Sequence, residues 1–255
     1  MKKSTISKYL YSIIGIVLLI TIWQLLAIFI GQRVFIFPGP IETFKYAIDL
    51  LTRSYIYDCI ARSFINMLKG FGFSFIIAFV LGIMAGNIKK IKYMISPFMT
   101  LFKSIPTASL VYLFLLVAGI NDAPVYIVCL VSMPILYEAI TAGIENIDES
   151  IIDAMKLDGT KPLKANMKVK IPLAWPYIVV GIDSSLALSF KIEIMAEVIT
   201  GSSKLGLGSA IVASQRTDPT NMVPIFAYSL IAVLIMYLLD MVLSITKDKA
   251  KKNIV

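Results

Sequence analysis

Apolar residues gather along the chain in runs longer than a soluble core requires. The first, Tyr9 to Ile30, carries no charge and exceeds the about 20 residues that cross a bilayer as a helix. Further runs follow at about 65–87, 93–118, 123–142, 173–199 and 223–245. This pattern predicts an all-α integral membrane protein with about six transmembrane helices. Lys2, Lys3 and Lys8 ahead of the first run imitate a secretory leader. The run is too long for one and has no small-residue cleavage site, so a retained first span is expected. Phe37-Pro38-Gly39-Pro40 then breaks the helix. Beyond it Ile41, Phe44, Ile48 and Leu51 share one helical face, while Glu42, Lys45, Asp49 and Arg53 lie mostly elsewhere. That is the pattern of an amphipathic helix lying at the membrane interface. The run at 123–142 contains Pro134 and Glu138, tolerable where neighbouring helices satisfy the freed backbone.

Composition agrees with the pattern. The 255 residues are 58% hydrophobic and 16% charged, against roughly 45–50% and about 25% in soluble domains. Six spans use about half of the length, leaving short loops and no separate soluble domain, so residues 1–255 read as one membrane domain. The net charge of +8 could suggest nucleic acid, but the lysines cluster between apolar runs, where an anionic lipid leaflet accounts for them. With the N-terminus inside, the segments near 87–92, 144–172 and 246–255 also fall inside. Of the 24 Lys and Arg residues, three lie within spans (Lys69, Lys103, Lys191). Six fall outside (Arg33, Lys45, Arg53, Arg62, Lys204, Arg216), and the other fifteen fall inside. The positive-inside bias therefore predicts both termini in the cytoplasm. The sequence has no His, and Cys59 and Cys129 are not at ligand spacing. Cys/His metal sites and His-based acid–base chemistry are thereby excluded.

The one long inside segment, 144–172, has helical structure of its own. Ile147, Ile151, Ala154 and Met155 recur at helical spacing, Asp148, Glu149 and Asp153 lie toward the start, and Asp158-Gly159 supplies a stop. A basic segment from Lys161 to Lys170 follows, with Pro162 at a first-turn position. The expected form is a short helix, a turn at Gly159 and a second helix leading into the span that begins near Pro172. Such an element lies across the membrane face, within reach of a soluble partner.

These residues resemble the loop E-A-A, three residues, Gly, nine residues, I-x-L-P of permease subunits in binding-protein-dependent ABC importers. The same register here reads Asp153-Ala154-Met155, Gly159, then Val169-Lys170-Ile171-Pro172. Further pieces resemble the nitrate/sulfonate/taurine-like branch, which includes permeases for thiamine precursors. Phe37-Pro38-Gly39-Pro40 stands for Leu-Pro-Ser-Pro, and Ser63 through Gly70-Phe71 for S-L-x-R-x-x-x-G-F, with Asn66 in place of the Arg. Lys103-Ser104-Ile105-Pro106 is similar to Arg-x-Ile-Pro. Ile171-Pro172-Leu173-Ala174-Trp175-Pro176-Tyr177-Ile178 with Gly181 resembles L-P-A-A-L-P-x-I-x-x-G. Ala196-Glu197, Gly201-Ser202-Ser203 and Gly206-Leu207-Gly208 resemble A-E and G-A-S-x-G-L-G. Asp183 stands where relatives often have Arg. The resemblance implies a type I ABC importer permease fold and a non-catalytic subunit. It also implies a homodimer, two ATP-binding cassette subunits carrying the ATP and magnesium, and an extracellular or periplasmic solute-binding protein. The setting implied is the bacterial cytoplasmic membrane. Asp153, Ala154, Met155, Gly159, Thr160, Lys161, Pro162, Ile171 and Pro172 would then couple to the ATPase subunit.

Other readings compete for the same residues. Gly159 could serve as a helix C-cap alone, and Lys161, Lys164, Lys168 and Lys170 could be topology signals in contact with headgroups. Ionisable residues inside spans are costly and suggest function, so Lys103, Asp183, Lys191, Glu193 and Glu197 are pathway or gate candidates. An interhelical ion pair between Lys103 and the acids is the structural alternative. Pro97 and Pro106 could form a packed kink or a hinge, with Pro106 the gate candidate. The Gly/Ser-rich stretch 201–208 reads as a flexible outer loop or a surface facing the binding protein. Gly82-x-x-x-Gly86 is a small-residue packing signal. A self-sufficient secondary transporter or channel would often carry inverted repeats, which are not evident. No G-x-x-x-x-G-K-[ST] phosphate loop occurs, so ATP would be hydrolysed on another polypeptide.

Overall fold

The structure is a computed structural model that describes residues 2–31, 37–159, 161–201 and 205–252; side chains are described within 10–242 only, and not for Gly31 or Leu163. The described residues form helices α1 (Lys2–Gly31), α2 (Pro40–Thr52), α3 (Ser54–Asn87), α4 (Lys89–Ser104), α5 (Thr107–Ala118) and α6 (Ala123–Glu145). These are followed by α7 (Glu149–Leu157), α8 (Pro162–Ala165), α9 (Ile171–Thr200), α10 (Leu207–Thr217) and α11 (Val223–Lys252). A single π turn, Asn166–Lys170, joins α8 to α9. No strand occurs among the described residues. The chain packs as two compact units, 1–58 with 210–233 and 59–209 with 234–255.

Among the described residues, four helices are long and apolar enough to cross a membrane: Leu10–Ile30, Ser54–Asn87, Ala123–Glu145 and Val223–Val242. The span expected at 93–118, with a kink or hinge at its prolines, is two helices, α4 and α5, bent by 99°. Pro106 supplies the break, standing extended at the start of α5 with φ −58° and ψ 125° and unable to donate into a continuing helix. Pro97 lies inside α4 without ending it. Counting the bent pair as one, length and apolarity support up to five crossings. The fifth expected span, 173–199, is the 30-residue α9, about 45 Å long at 1.5 Å per residue but not among the helices that are both long and apolar enough to cross.

In the first unit, α2 begins with Pro40 at its first turn, where a missing N–H costs nothing. Its buried stripe is Thr43, Ala47 and Leu50. Of the stripe noted in the sequence, Ile41, Phe44 and Ile48 are exposed and Leu51 is half-buried. The Trp23 indole N–H donates to the Pro38 carbonyl at 3.2 Å and fixes the α1–α2 corner.

The second unit is built around α6, whose Ile127, Val128, Leu136 and Ile140 are fully buried. Glycines of α3 let its backbone approach α6. A Cβ on Gly86 would lie 2.6 Å from Ile144 Cβ, one on Gly82 2.9 Å from Ile140 Cβ, and one on Gly70 2.5 Å from the Val125 carbonyl. The same device joins α6 to α9, where Gly181 meets Ala139 at 2.4 Å and Gly143 meets Ala174 and Tyr177 at 3.0 Å. In lipid, where apolar burial does not favour one helix neighbour over another, such close approach supplies the packing energy.

Candidate functional site

The segment leading into α9 adopts the expected form. Asp148 caps α7, its side chain accepting the Ser150 N–H at 2.8 Å. That hydrogen bond holds the Asp148 carboxyl below the usual carboxylate range. Lys156 pairs with Asp153 at 2.8 Å across one turn. The helix ends at Gly159, whose φ of +64° lies in the left-handed region. A Cβ there would meet nothing within 4 Å, so backbone conformation, not space, calls for glycine. Thr160 lies outside the described residues. Lys161 and Pro162 are exposed, Pro162 opens α8, Ile171 is half-buried and Pro172 exposed. Through α8 and the π turn the backbone runs helically from Pro162 to Thr200. Lys170 donates to Asn87 Oδ1 at the end of α3, and burial lowers its ammonium from the ordinary value. Lys92 pairs with Glu145 at 2.8 Å, tying α4 to the end of α6. Asp153 and Ala154 are exposed and Met155 half-buried on α7. Leu157 is 90% exposed, an apolar side chain that the sequence reading did not single out.

A second cluster lies inside the same unit. The Ser63 hydroxyl on α3 lies 2.9 and 2.8 Å from the two Glu197 carboxyl oxygens. Ser63 Oγ accepts the Leu207 N–H at 2.9 Å, and the Gly208 N–H donates to Glu197 Oε2 at 2.9 Å. The start of α10 is thus clamped onto α3 and α9 by buried hydrogen bonds. Space explains the glycines: a Cβ on Gly206 would stand 2.2 Å from Glu197 Oε1, and one on Gly208 2.5 Å from the Ile194 carbonyl. Ser63, Glu197 and Gly206-Leu207-Gly208, read in the sequence as two separate stretches, are one structure. Ser202, Ser203 and Lys204 lie outside the described residues. One turn before Glu197, Glu193 is fully buried.

The remaining candidates divide. Lys103 of α4 pairs with Glu138 of α6. The alternative of an ion pair between Lys103 and the α9 acids gives way to one with Glu138, whose side chain lies on the half-exposed flank of α6 beside α4. Ser96, Thr100 and Ser104 recur at four-residue spacing on α4, and with Tyr93, Pro97 and Leu101 they line an open cleft. Lys191 is exposed on α9 and Asp183 half-buried. Pro106 is exposed at the bend. No group of three or more potential metal ligands occurs among the described residues.

Comparison with known proteins bears on this arrangement. Residues 78–252 match the family model described as binding-protein-dependent transport system inner membrane component. A probable ABC transporter permease of Brucella melitensis is 26% identical over 67% of this chain and 70% of its own. A putative aliphatic sulfonates transport permease of Bacillus subtilis is 24% identical over 80% of this chain and 74% of its own. A putative ABC transporter permease of Methanocaldococcus jannaschii is 26% identical over 91% and 87%. Among solved structures, an inward-facing MetNI methionine ABC transporter chain superimposes with a TM-score of 0.67 at 17% identity, covering 77% of this chain and 96% of that one. The chain is a multi-pass membrane protein and a non-catalytic permease subunit: it belongs to the family of binding-protein-dependent transport system inner membrane components, the membrane-spanning parts of ABC importers.

Proposed function

We propose that this permease works by alternating access, driven through residues 153–172 by a separate ATP-binding cassette subunit. The observation that carries the reading is the exposed turn at Gly159, with the bare apolar side chain of Leu157 beside it. An apolar group left this exposed at the end of an amphipathic helix is suited to a pocket on a partner. ATP-driven closure of two such subunits would press on α7, and the continuous helix behind it would carry the displacement into α9. Asp153, Ala154, Met155, Gly159, Thr160, Lys161, Pro162, Ile171 and Pro172 are assigned to this contact. ATP and magnesium belong to the partner.

Two copies of the chain enclose the pathway, in a bacterial cytoplasmic membrane with both termini inside. The charge distribution of the loops supports that orientation. The Lys103–Glu138 pair and the hydroxyls of α4 line the pathway, because an exposed charged pair at membrane depth is tolerated where it faces a watery cavity. A solute-binding protein delivers the cargo to the outer face, where the clamped segment 205–208 receives it. The cargo class is a small organic or anionic solute, a choice supported by the sulfonate permease among the relatives. The test is co-expression with the neighbouring ATPase gene and purification through a tag on the permease. An ATPase subunit that remains bound at two per two permeases is the expected result. A wild-type permease that never retains it overturns the proposal.

A further inference from the structure

Along its buried face α9 carries Ser185, Ser189, Glu193 and Glu197 at four-residue spacing, each no more than 3% exposed. Three of the four are satisfied. Ser185 donates to the Gly181 carbonyl at 2.6 Å and Ser189 to the Ser185 carbonyl at 2.6 Å. Glu197 is held by the Ser63 hydroxyl and the Gly208 N–H. Glu193 differs: it is 0% exposed, and neither carboxyl oxygen has a hydrogen-bond partner. The groups that act on it are Asn66 of α3 and Glu197 of its own helix, so no cation faces it among the described residues. Asn66 lies near without donating at bonding geometry. Lys103, the cation named as a partner in the sequence reading, is engaged by Glu138.

An ionised carboxylate sealed from water, with no donor and a second carboxylate one turn away, bears a desolvation cost that nothing in its surroundings offsets. A neutral carboxylic acid avoids that cost. We propose that Glu193 is an interior proton-binding site, a carboxylic acid that holds its proton while α9 is packed as seen here. Glu197 beside it, supplied with donors from α3 and the α10 start, is the ionised member of the pair. The alternating-access reading gives the site its meaning, for α9 is the helix that continues the coupling segment. Any displacement of α9 that admits water to this face lets Glu193 exchange its proton, so the transport cycle carries a protonation equilibrium within it.

The test is infrared spectroscopy of the purified permease complex in lipid nanodiscs, comparing wild type with Glu193→Gln and with Glu197→Gln. The expected result is loss of a protonated-acid carbonyl band in Glu193→Gln and loss of carboxylate bands alone in Glu197→Gln. Loss of carboxylate bands in Glu193→Gln would overturn the proposal and make Glu193 an anion held by Asn66. Because either substitution could impair folding, wild-type complex is also treated with dicyclohexylcarbodiimide, an apolar reagent for protonated carboxyls in membranes, and the adduct located by peptide mass spectrometry. Modification at Glu193 and not Glu197 supports the site; modification at Glu197 alone overturns it. Neither readout requires transport, so failure of the proton site is distinguishable from failure of the permease mechanism, which ATPase retention reports.

Discussion

Replacing Ser63 with Ala tests whether the clamp between α3, α9 and the start of α10 holds the second unit together. The substitution removes the hydroxyl that serves both Glu197 oxygens and the acceptor for the Leu207 N–H. Glu197 keeps the Gly208 N–H at 2.9 Å, so its carboxylate is weakened but not stripped. The Leu207 N–H is left without its acceptor beside a fully buried side chain. A buried group left unsatisfied costs about 1–3 kcal/mol, and a hydrogen bond to a charged group is worth about 1.5–3. Hydrogen bonds between membrane helices average only about 0.6 kcal/mol because the unfolded state in lipid finds other partners. A loss of about 2 kcal/mol weighs the two effects together. Reversible unfolding in mixed micelles measures it, and a double-mutant cycle with Glu197→Gln should give a coupling of about 1 kcal/mol. A Ser63→Ala variant within about 0.5 kcal/mol of wild type, additive with Glu197→Gln, would refute the claim that these hydrogen bonds clamp the loop.

Three further outcomes follow from the packing and charges. Gly86→Ala places a Cβ 2.6 Å from Ile144 Cβ and should lower stability by about 1–3 kcal/mol, whereas Gly72→Ala, with nothing within 4 Å, should change it little; thermal unfolding of the two in detergent decides. Lys103→Ala and Glu138→Ala should each lower uptake rates, and the exchanged pair Lys103→Glu with Glu138→Lys should restore folding but not transport if these charges face the cargo; full recovery of uptake would assign the pair to structure alone. The Asp148 cap acts above the ordinary carboxyl value of about 3.9. Because the folded form holds this carboxyl below that value, the contribution to α7 is complete at neutral pH and is lost as pH falls through the lowered value. The protection factors of the α7 amides, that is their exchange relative to the intrinsic rate at each pH, should therefore fall in acid in the wild type, with no such pH step in Asp148→Asn.

The hydrophobic runs located most of the long helices because each holds to one environment over 20 residues or more. The turn at Gly159 was legible for a similar reason, since Asp158-Gly159 and Pro162 state a local backbone requirement. What escaped the sequence were contacts between distant segments. Nothing at Ser63 says that it will meet Glu197, and the glycines at 206 and 208 read as flexibility when their role is room for a carboxylate and a carbonyl. Glu138 gave no sign that it would take Lys103 from the α9 acids. Pro106 was noted as a kink or hinge, but the 99° size of the bend was hidden, because an apolar pattern continues across a corner unchanged.

The central claim is that a partner's ATP cycle enters this chain at Gly159. The most direct measurement is ATP-dependent uptake in proteoliposomes holding the permease, its ATPase and its solute-binding protein, for wild type and Gly159→Trp. Gly159→Trp is expected to leave the permease in the membrane but to lose the bound ATPase, or its stimulation by the binding protein, and with it uptake. Unchanged ATPase retention, stimulation and uptake in Gly159→Trp would contradict it.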